Sequence, residues 1–556
     1  MAMDTVMVMA MDMKKRINRP ILAAISSCAV LSAYSPIASS QSVPILPNLS
    51  GANPSNASSE ASSPKESDNS TPAWRIRPRI TLTETYTDNS NVSSGANGKQ
   101  SDLISRISPG IRIEGQSARL RGYFDYSLSA LYYANAGSTN TQNALNTFGT
   151  LEAIENWLFV DASGVIAQQS VSAFGTQSPS NSTINNNTSE TSTYRLSPYI
   201  RGQLAGQVEY SLRYALSTTN SNSSAASSVD ISQWSGQLRG STPFQSLKWS
   251  LDGNQQSVDY SNGRQTDAMQ LRALGTYAIV PQLTISLSTG WESNNYLSIE
   301  QDRRTTRGYG FDWRPTERTE ISAFREKRFF GNGHNYKFSH RFPLSSIQYT
   351  DTKNINILPD QFGRVGIGTY YDIFSLFCHQ QLASSITDPA ALAIAVNSCA
   401  NAFLISTGVP ANAQATTGFL SSQAYVQRMQ QLSWALFGAR NSITLLANRS
   451  ENQSTLGMST ALDDFSKSNV IRQRGLSLNI SHRLSELSSL NFMVSRHQSS
   501  GTNNTLKTTT NLYQVNLSTR LGTHTTGSLS VRRAEFDSTT NPYNEHALIA
   551  TLSYIY

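Results

Sequence analysis

From Trp74 almost to the end of the chain, apolar and polar positions alternate with a period of two. In residues 120–132 the even positions carry Leu120, Phe124, Tyr126, Leu128, Ala130 and Tyr132, while the odd ones include Arg121, Asp125, Ser127 and Ser129. Val208, Tyr210, Leu212, Tyr214 and Leu216 alternate in the same way with Glu209, Ser211, Arg213 and Ser217. Tyr513, Val515, Leu517 and Leu521 do so with Gln514, Asn516, Ser518 and Arg520. Successive side chains of a strand point to opposite faces, so each segment has one greasy and one wet side. Soluble sandwiches alternate too, and the connections separate the two cases. Short ones fall at 115–116, 155, 205, 281–282, 315–318, 343–345, 440–441, 485–486 and 522–523. Between them come long polar ones at 87–100, 174–190, 219–229, 293–303, 452–467, 498–507 and 537–542. Tight turns on one side and long loops on the other are the asymmetry of barrels that cross an outer membrane. The expected fold is all-β: a large antiparallel transmembrane β-barrel of about 16–22 strands, best counted as 22, with both termini on the periplasmic side.

The last residues support this. Leu548, Ala550, Leu552, Tyr554 and Tyr556 share one face, against Glu545, Thr551 and Ser553. Aromatic or apolar groups at the final position and at two-residue steps before it resemble the strand that outer-membrane barrels present to the barrel assembly machinery. Leu552, Tyr554 and Tyr556 are therefore the candidate insertion signal, and that machinery an expected partner.

The N-terminus places the barrel. Lys14, Lys15, Arg16 and Arg19 precede an apolar run from Ile21 to Ala33 and small residues around Ala38, the order of a secretory signal. Residues 1–40 are read as signal peptide, with Met13 an alternative start, and Cys28 fits a loose lipidation pattern as well as a plain signal core. Residues 41–73 are Ser, Asn and Pro with few large apolar groups, a disordered periplasmic lead that cannot offset its ordering entropy. The barrel is assigned to 74–556.

One stretch breaks the period. Between about 355 and 422, Thr387, Asp388 and Pro389 form a helix start, Leu392, Val396, Cys399, Phe403 and Leu404 recur at helical spacing, and Gly408 ends the run. Tyr371, Phe374, Leu376, Phe377 and Leu382 suggest a second helix upstream, so a helical hairpin insertion is expected, lying on the long-loop side or folded across the lumen. Cys378 and Cys399, one on each helix and in an oxidising compartment, read as a disulfide. His379 is the only imidazole near them, too little for a zinc set.

Composition sharpens this. Apolar residues are 38% and charged ones 15% of the chain, too polar for a helical membrane protein. Aromatics spread evenly along it exclude full disorder. A net charge of +7 without a dense basic block gives no argument for nucleic acid as a partner. The seven His are scattered without metal spacing, Gly-x-Ser-x-Gly is absent, and Asp463-Asp464 reads as a solvated pair in a loop. No catalytic residue, metal or cofactor is expected, and no enzyme activity.

The segments Gly368-Thr-Tyr-Tyr-Asp-Ile-Phe, Asp388-Pro389, Gly418-Phe-Leu and Gln427-Arg-Met-Gln-Gln-Leu-Ser-Trp-Ala-Leu-Phe-Gly-Ala-Arg-Asn-Ser-Ile-Thr together resemble the outer-membrane proteins associated with the PEP-CTERM and exosortase system. That resemblance, spanning about Trp74 to Tyr556, implies a barrel beside exopolysaccharide machinery, and so a pore for exopolysaccharide export or an envelope role, with the polymer and its export proteins as partners. The alternatives are a structural or adhesive barrel without transport, and a plug-less TonB-like or diffusion pore. A receptor filled by its own plug is discounted because the lead is too short to fold as one.

Arg121, Arg213, Arg239, Arg272 and Arg520 are the lumen-facing basic candidates. They either draw anionic sugar polymers into a cationic lumen or pair with inward Asp125 and Glu209. Arg303, Arg304 and Arg307, near the outer rim, are candidates for lipopolysaccharide phosphates.

Overall fold

The computed structural model describes residues 74–94, 98–223, 227–357, 419–456, 463–502 and 506–556. Within 358–418 it describes Ser375, Cys378, Leu392, Ala393, Ala395, Val396, Asn397, Cys399 and Ala400.

The strands begin with β1 (Trp74–Thr87), β2 (Asp102–Gln116), β3 (Leu120–Tyr133), β4 (Ser138–Ile154), β5 (Leu158–Ser170), β6 (Thr188–Leu204) and β7 (Val208–Ser221). They continue with β8 (Val229–Ser241), β9 (Leu247–Tyr260), β10 (Thr266–Val280), β11 (Leu283–Asn294), β12 (Asp302–Thr316), β13 (Thr319–Arg328), β14 (Gly331–Arg341) and β15 (Ser345–Asn356). After the insertion come β16 (Tyr425–Phe437), β17 (Asn441–Ser454), β18 (Val470–Arg483), β19 (Ser488–Ser500), β20 (Lys507–Arg520), β21 (Thr525–Ser538) and β22 (Tyr543–Ile555). Each pairs antiparallel with its sequence neighbour, and β1 pairs with β22 from Arg79 opposite Ile555 to Thr87 opposite Ala547. The sheet is a closed 22-stranded antiparallel barrel. Closure leaves no edge, so every strand finds its backbone partners within the sheet.

Prolines mark two of the interruptions. The β2/β3 ladder skips from Ile107 to Gly110 around Pro109, and the β6/β7 ladder from Leu196 to Tyr199 around Pro198, because proline has no N–H to donate. At the β6–β7 turn Ala205 and Gly206 have φ of 50° and 69°, and the Gln207 N–H donates to Leu204 O at 3.1 Å. Two left-handed central residues match the twist of a tight hairpin.

The alternation resolves into an outer and an inner wall. Ile80, Leu82, Leu128, Leu212, Leu517 and Leu552 are exposed on the outside. At the short-turn rim, Trp74, Trp157, Trp249, Trp313, Tyr554 and Tyr556 form an exposed aromatic girdle, as expected where a hydrocarbon belt meets headgroups. The Tyr554 and Tyr556 rings stand edge to face at 4.7 Å, and the Tyr556 N–H donates to Pro78 O at 2.9 Å. Inside, the closing seam carries a polar ladder: the Thr81 and Ser553 hydroxyls at 3.0 Å, those of Thr83 and Thr551 at 3.3 Å, and the Thr87 hydroxyl donating to Glu545 at 2.9 Å. Fully buried Glu545 also accepts from Arg532 at 2.8 Å.

Every predicted short connection lies on one rim and every long one on the other. The short rim also holds a β8–β9 turn that the pattern did not mark. The long rim holds two unmarked connections, Ala134–Gly137 and Ser261–Gln265, no longer than turns of the other rim, and a still shorter one: β13–β14 is only Phe329–Phe330. Phe329 is buried in an apolar cluster with Tyr296 and Ile357, so hydrophobic packing rather than polar composition defines that turn. The insertion follows β15 on the long-loop rim. Its described residues are helical in both arms, and the Cys378 and Cys399 sulfurs are bonded, with Cα atoms 5.9 Å apart. Tyr371, Phe374, Leu376, Phe377, Leu382, Thr387, Asp388, Pro389, Phe403, Leu404 and Gly408 lie outside the described residues, as do the signal and lead segments.

Placing a charge on the outer wall tests the sidedness. Val515→Arg, on a lipid-facing position that is 41% exposed, is expected to cost about 2–4 kcal/mol in equilibrium folding into lipid vesicles. Gln514→Arg, one residue away on the inner wall, is expected to cost less than about 1 kcal/mol.

Candidate functional site: a capped polar lumen

The 171–187 connection between β5 and β6 is built from small polar residues, and their side chains replace the ladder partners that its backbone lacks. The Val171 N–H donates to Asn187 O at 2.9 Å and the Ser172 N–H to Asn187 Oδ1 at 2.9 Å. Asn187 Nδ2 returns a bond to Ser172 O at 2.9 Å, Asn185 Nδ2 donates to Thr176 O at 2.9 Å, and Gln177 Nε2 to Ser172 O at 2.8 Å. Asn and Gln recur here because an amide both donates and accepts beside irregular backbone.

Braced in this way, the loop reaches across the mouth. Its first half docks on the far wall: the Ser172 hydroxyl donates to Asp464 Oδ1 at 2.5 Å, the Ala173 N–H to Asp464 Oδ2 at 2.6 Å, and the Thr508 hydroxyl to Ala173 O at 3.2 Å. Ala173 and Phe174 enter an apolar pad with Phe419, Tyr425, Phe465 and Ile471. Its second half is held from the near wall, by Tyr133 OH donating to Ser182 O at 2.9 Å, Gln142 Nε2 to Asn181 O at 2.7 Å and Tyr543 OH to Gln177 O at 2.5 Å. In a ring of 22 strands β6 and β17 stand half a circumference apart, so contacts to Asp464 and to Tyr133 from one loop require it to cross the long-loop mouth.

The end of the insertion is a second bar. The Leu420 N–H donates to Val171 O at 3.1 Å and the Ser422 N–H to Asp463 Oδ2 at 3.0 Å, while the Ser227 hydroxyl donates to that of Ser422 at 2.7 Å. A Cβ on Gly263 would lie 2.3 Å from Ser422 O, so only glycine permits this approach. Ala424 and Ile357 then pack on inward Val229, Ile231, Val258 and Tyr260.

Asp463 and Asp464, expected to be solvated, are instead 5% and 2% exposed. Their carboxylates take the hydrogen bonds of backbone groups that no strand satisfies. Local sequence cannot show this, because the donors lie 41 and 291 residues away; the adjacent Phe465 was the available signal that this loop is packed.

Below the cap, all five predicted lumen arginines stand on inward positions, and their partners differ from those expected. Asp125 pairs with Arg79 at 2.5 Å. Arg213 donates to Asp161 at 2.8 Å and to the Ser197 hydroxyl at 2.9 Å, and lies 4.0 Å over the Tyr199 ring. Arg272 pairs with Asp252 at 3.4 Å. Glu209 stands opposite Arg239 in register but forms no ion pair with it. Arg239 and Arg520 have no ion pair among the described residues, and Arg121, opposite Thr150, is held by its surroundings. Charge among these five is thus largely balanced: Arg239 faces the inward Glu209 carboxylate, and Arg520 stands at the short rim without an ion pair among the described residues. Arg304 also faces inward and pairs with Asp302 at 2.8 Å, whereas Arg303 and Arg307, an odd number of residues from it, face outward.

No protein-family model matches the chain. No curated protein matches it. Solved structures are similar to the chain at low identity. The FrpB iron transporter of Neisseria meningitidis is 9% identical, with 86% of this chain and 81% of that one covered at a TM-score of 0.47. The siderophore receptor PirA of Pseudomonas aeruginosa is 10% identical, with 87% and 80% covered at 0.42. The outer membrane protein OpdK of Pseudomonas aeruginosa is 7% identical, with 87% and 99% covered at 0.33.

Burial raises the Asp464 carboxyl above the ordinary carboxylate range, and the Asp463 charge adds to this; the Ser172 and Ala173 hydrogen bonds and Lys467 pull the other way. A lifted loop returns Asp464 to water and to its ordinary value, so the docked state binds the proton more tightly. The docking stability is fully present below the ordinary value and is lost as pH rises through the raised one. Acidification through that window is therefore expected to slow protease cleavage within 176–184. Asp464→Asn should remove the pH dependence, and Asp464→Ala should loosen the loop by about 1–3 kcal/mol.

Proposed function

We propose that this chain is a gated channel of the bacterial outer membrane, with its short turns and both termini in the periplasm, that passes hydrophilic sugar-like solutes when the 171–187 loop lifts. The observation that carries this reading is the loop itself. It crosses the mouth on hydrogen bonds and one small apolar pad, and it stands over a wall of Ser, Thr, Asn and Gln. A barrel whose only task is structural has no use for a polar inner wall beneath a detachable cap. Hydroxyl and amide side chains exchange hydrogen bonds with a sliding sugar at little cost, because each can donate and accept. The positive charge of Arg520, without an ion pair at the short rim, favours anions at that mouth of a confined, low-dielectric passage. An anionic exopolysaccharide, the cargo implied by the PEP-CTERM resemblance, suits such a wall, and the enzymes and carriers that make the polymer would then be its partners. Insertion through the barrel assembly machinery would use Leu552, Tyr554 and Tyr556.

Liposome swelling and planar bilayers test the proposal. The Ser172→Ala, Asp464→Ala double variant is expected to admit larger neutral oligosaccharides than the unaltered protein and to show longer open times. In reversal-potential measurements Arg520→Ser should reduce a preference for anions. If neither the unaltered protein nor the double variant admits any sugar, the channel reading fails. The structural or adhesive barrel would then stand, supported by the packing of its long Ser/Asn/Thr loops into one buried cap.

A further inference from the structure

The outer wall carries its charge unevenly. Near the long-loop ends of β13 to β18 a row of directly opposed residues runs across six strands: Arg325 faces His334, His334 faces Lys353, Lys353 faces Arg428, Arg428 faces Glu451, and Glu451 faces Arg472. Beside this row Arg307 stands opposite Lys327 and Arg449 opposite Arg474. Like charges directly opposed across strands are destabilising unless an anion lies between them. The protein supplies two such anions, Glu451, which pairs with Arg472 at 3.1 Å, and Asp351. Asp351, 4% exposed, accepts from Arg428 at 3.1 and 2.7 Å, from Gln430 at 2.9 Å, and meets His334 at 2.9 Å. Arg307, Arg325, Lys327, Lys353, Arg449 and Arg474 form no ion pair among the described residues.

Three observations say what completes the set. A cleft of about 200 Å³ opens on the outer wall between Asn332, His334, Lys353, Arg428 and Glu451, large enough for a phosphate and part of a sugar. Next along these strands toward the short rim come exposed Tyr309, Phe311 and Leu476, an apolar surface on which acyl chains can lie. At the same rim on β8–β10, Asp230 stands opposite Asp259 with Asp267 on the next strand. The protein therefore presents a cationic arc to one side of its lipid annulus and an anionic one elsewhere.

We infer that the β12–β18 arc binds the phosphorylated sugar headgroup of an outer-leaflet glycolipid, with the phosphates between Arg307, Arg325, Lys327 and Lys353 and the acyl chains on the apolar wall below. Charge complementarity places the phosphate, and the adjoining apolar surface selects a lipid over a free anion. The site does not depend on whether the pore conducts, since it lies outside the barrel.

Detergent-solubilised, folded protein is titrated in EDTA with a bis-phosphorylated glucosamine lipid, with the same lipid after dephosphorylation, and with inorganic phosphate, using native mass spectrometry. The phosphorylated lipid is expected to bind saturably and the dephosphorylated one at least about tenfold more weakly. The Arg325→Ser, Lys327→Ser, Lys353→Ser variant should lose about a hundredfold in affinity, at roughly 1 kcal/mol per cation and about 1.4 kcal/mol per tenfold. Asp230→Asn with Asp259→Asn should leave binding unchanged. Heat-dependent gel mobility confirms that each variant is a folded barrel. Equal affinity for both lipids, or unchanged affinity in the triple variant, overturns the site. Displacement by equimolar inorganic phosphate overturns the lipid as its source.

Discussion

A peptide group without a hydrogen-bond partner costs several kcal/mol in hydrocarbon, and the rest of this structure depends on meeting that constraint. One strand of this chain cannot satisfy it and neither can an open sheet of any width. The seam between β1 and β22 therefore matters more than any other pair, because it removes the last two edges. Its inner face is fixed by hydroxyl contacts and by buried Glu545, which ties Thr87 on the first strand to Arg532 on the penultimate one. Residues 458 positions apart thereby close the ring.

Closure creates the second problem, a wide polar interior with two mouths. Here the short-turn rim is spare and the long-loop rim is crossed. The crossing depends on side-chain chemistry rather than on regular structure. Asn185, Asn187 and Gln177 satisfy the loop's own backbone, and Asp463 and Asp464 satisfy the two segments that meet over the lumen. Such contacts hold a definite conformation and are also separable, since water can replace each of them once the apolar pad around Phe174 and Phe465 parts. The lumen arginines follow a related logic. Pairing Arg79, Arg213 and Arg272 with carboxylates keeps the wall polar without loading it with like charge.

Outside, the same alternation that makes a lipid-facing belt carries charge wherever a strand rises past that belt. The cationic residues of the arc collect on β12 to β18 and an acidic group on β8 to β10, so the two sides of the rim differ in charge. Inner and outer walls are thus independent surfaces on one backbone, separated at each position by a single residue of register.

Strand existence, strand number, the sorting of turns onto two rims and the inward direction of Arg121, Arg213, Arg239, Arg272 and Arg520 were all legible in the sequence, because a period of two and the placement of turn residues are local properties that lipid and water enforce strand by strand. The pairing of Cys378 with Cys399 was legible for a similar reason, since helical spacing set one cysteine on each arm. What tertiary structure decided is which distant groups meet. Asp464 looks like a solvated loop residue until Ser172 and Ala173 arrive from the opposite wall. Arg213 finds Asp161 two strands away rather than Glu209 on its own strand. The opposition of Arg325, His334, Lys353 and Arg428 exists only once four strands share a register. Alternation states which face a side chain takes, whereas its neighbour on that face depends on how the ring closes, and closure is a property of the whole chain.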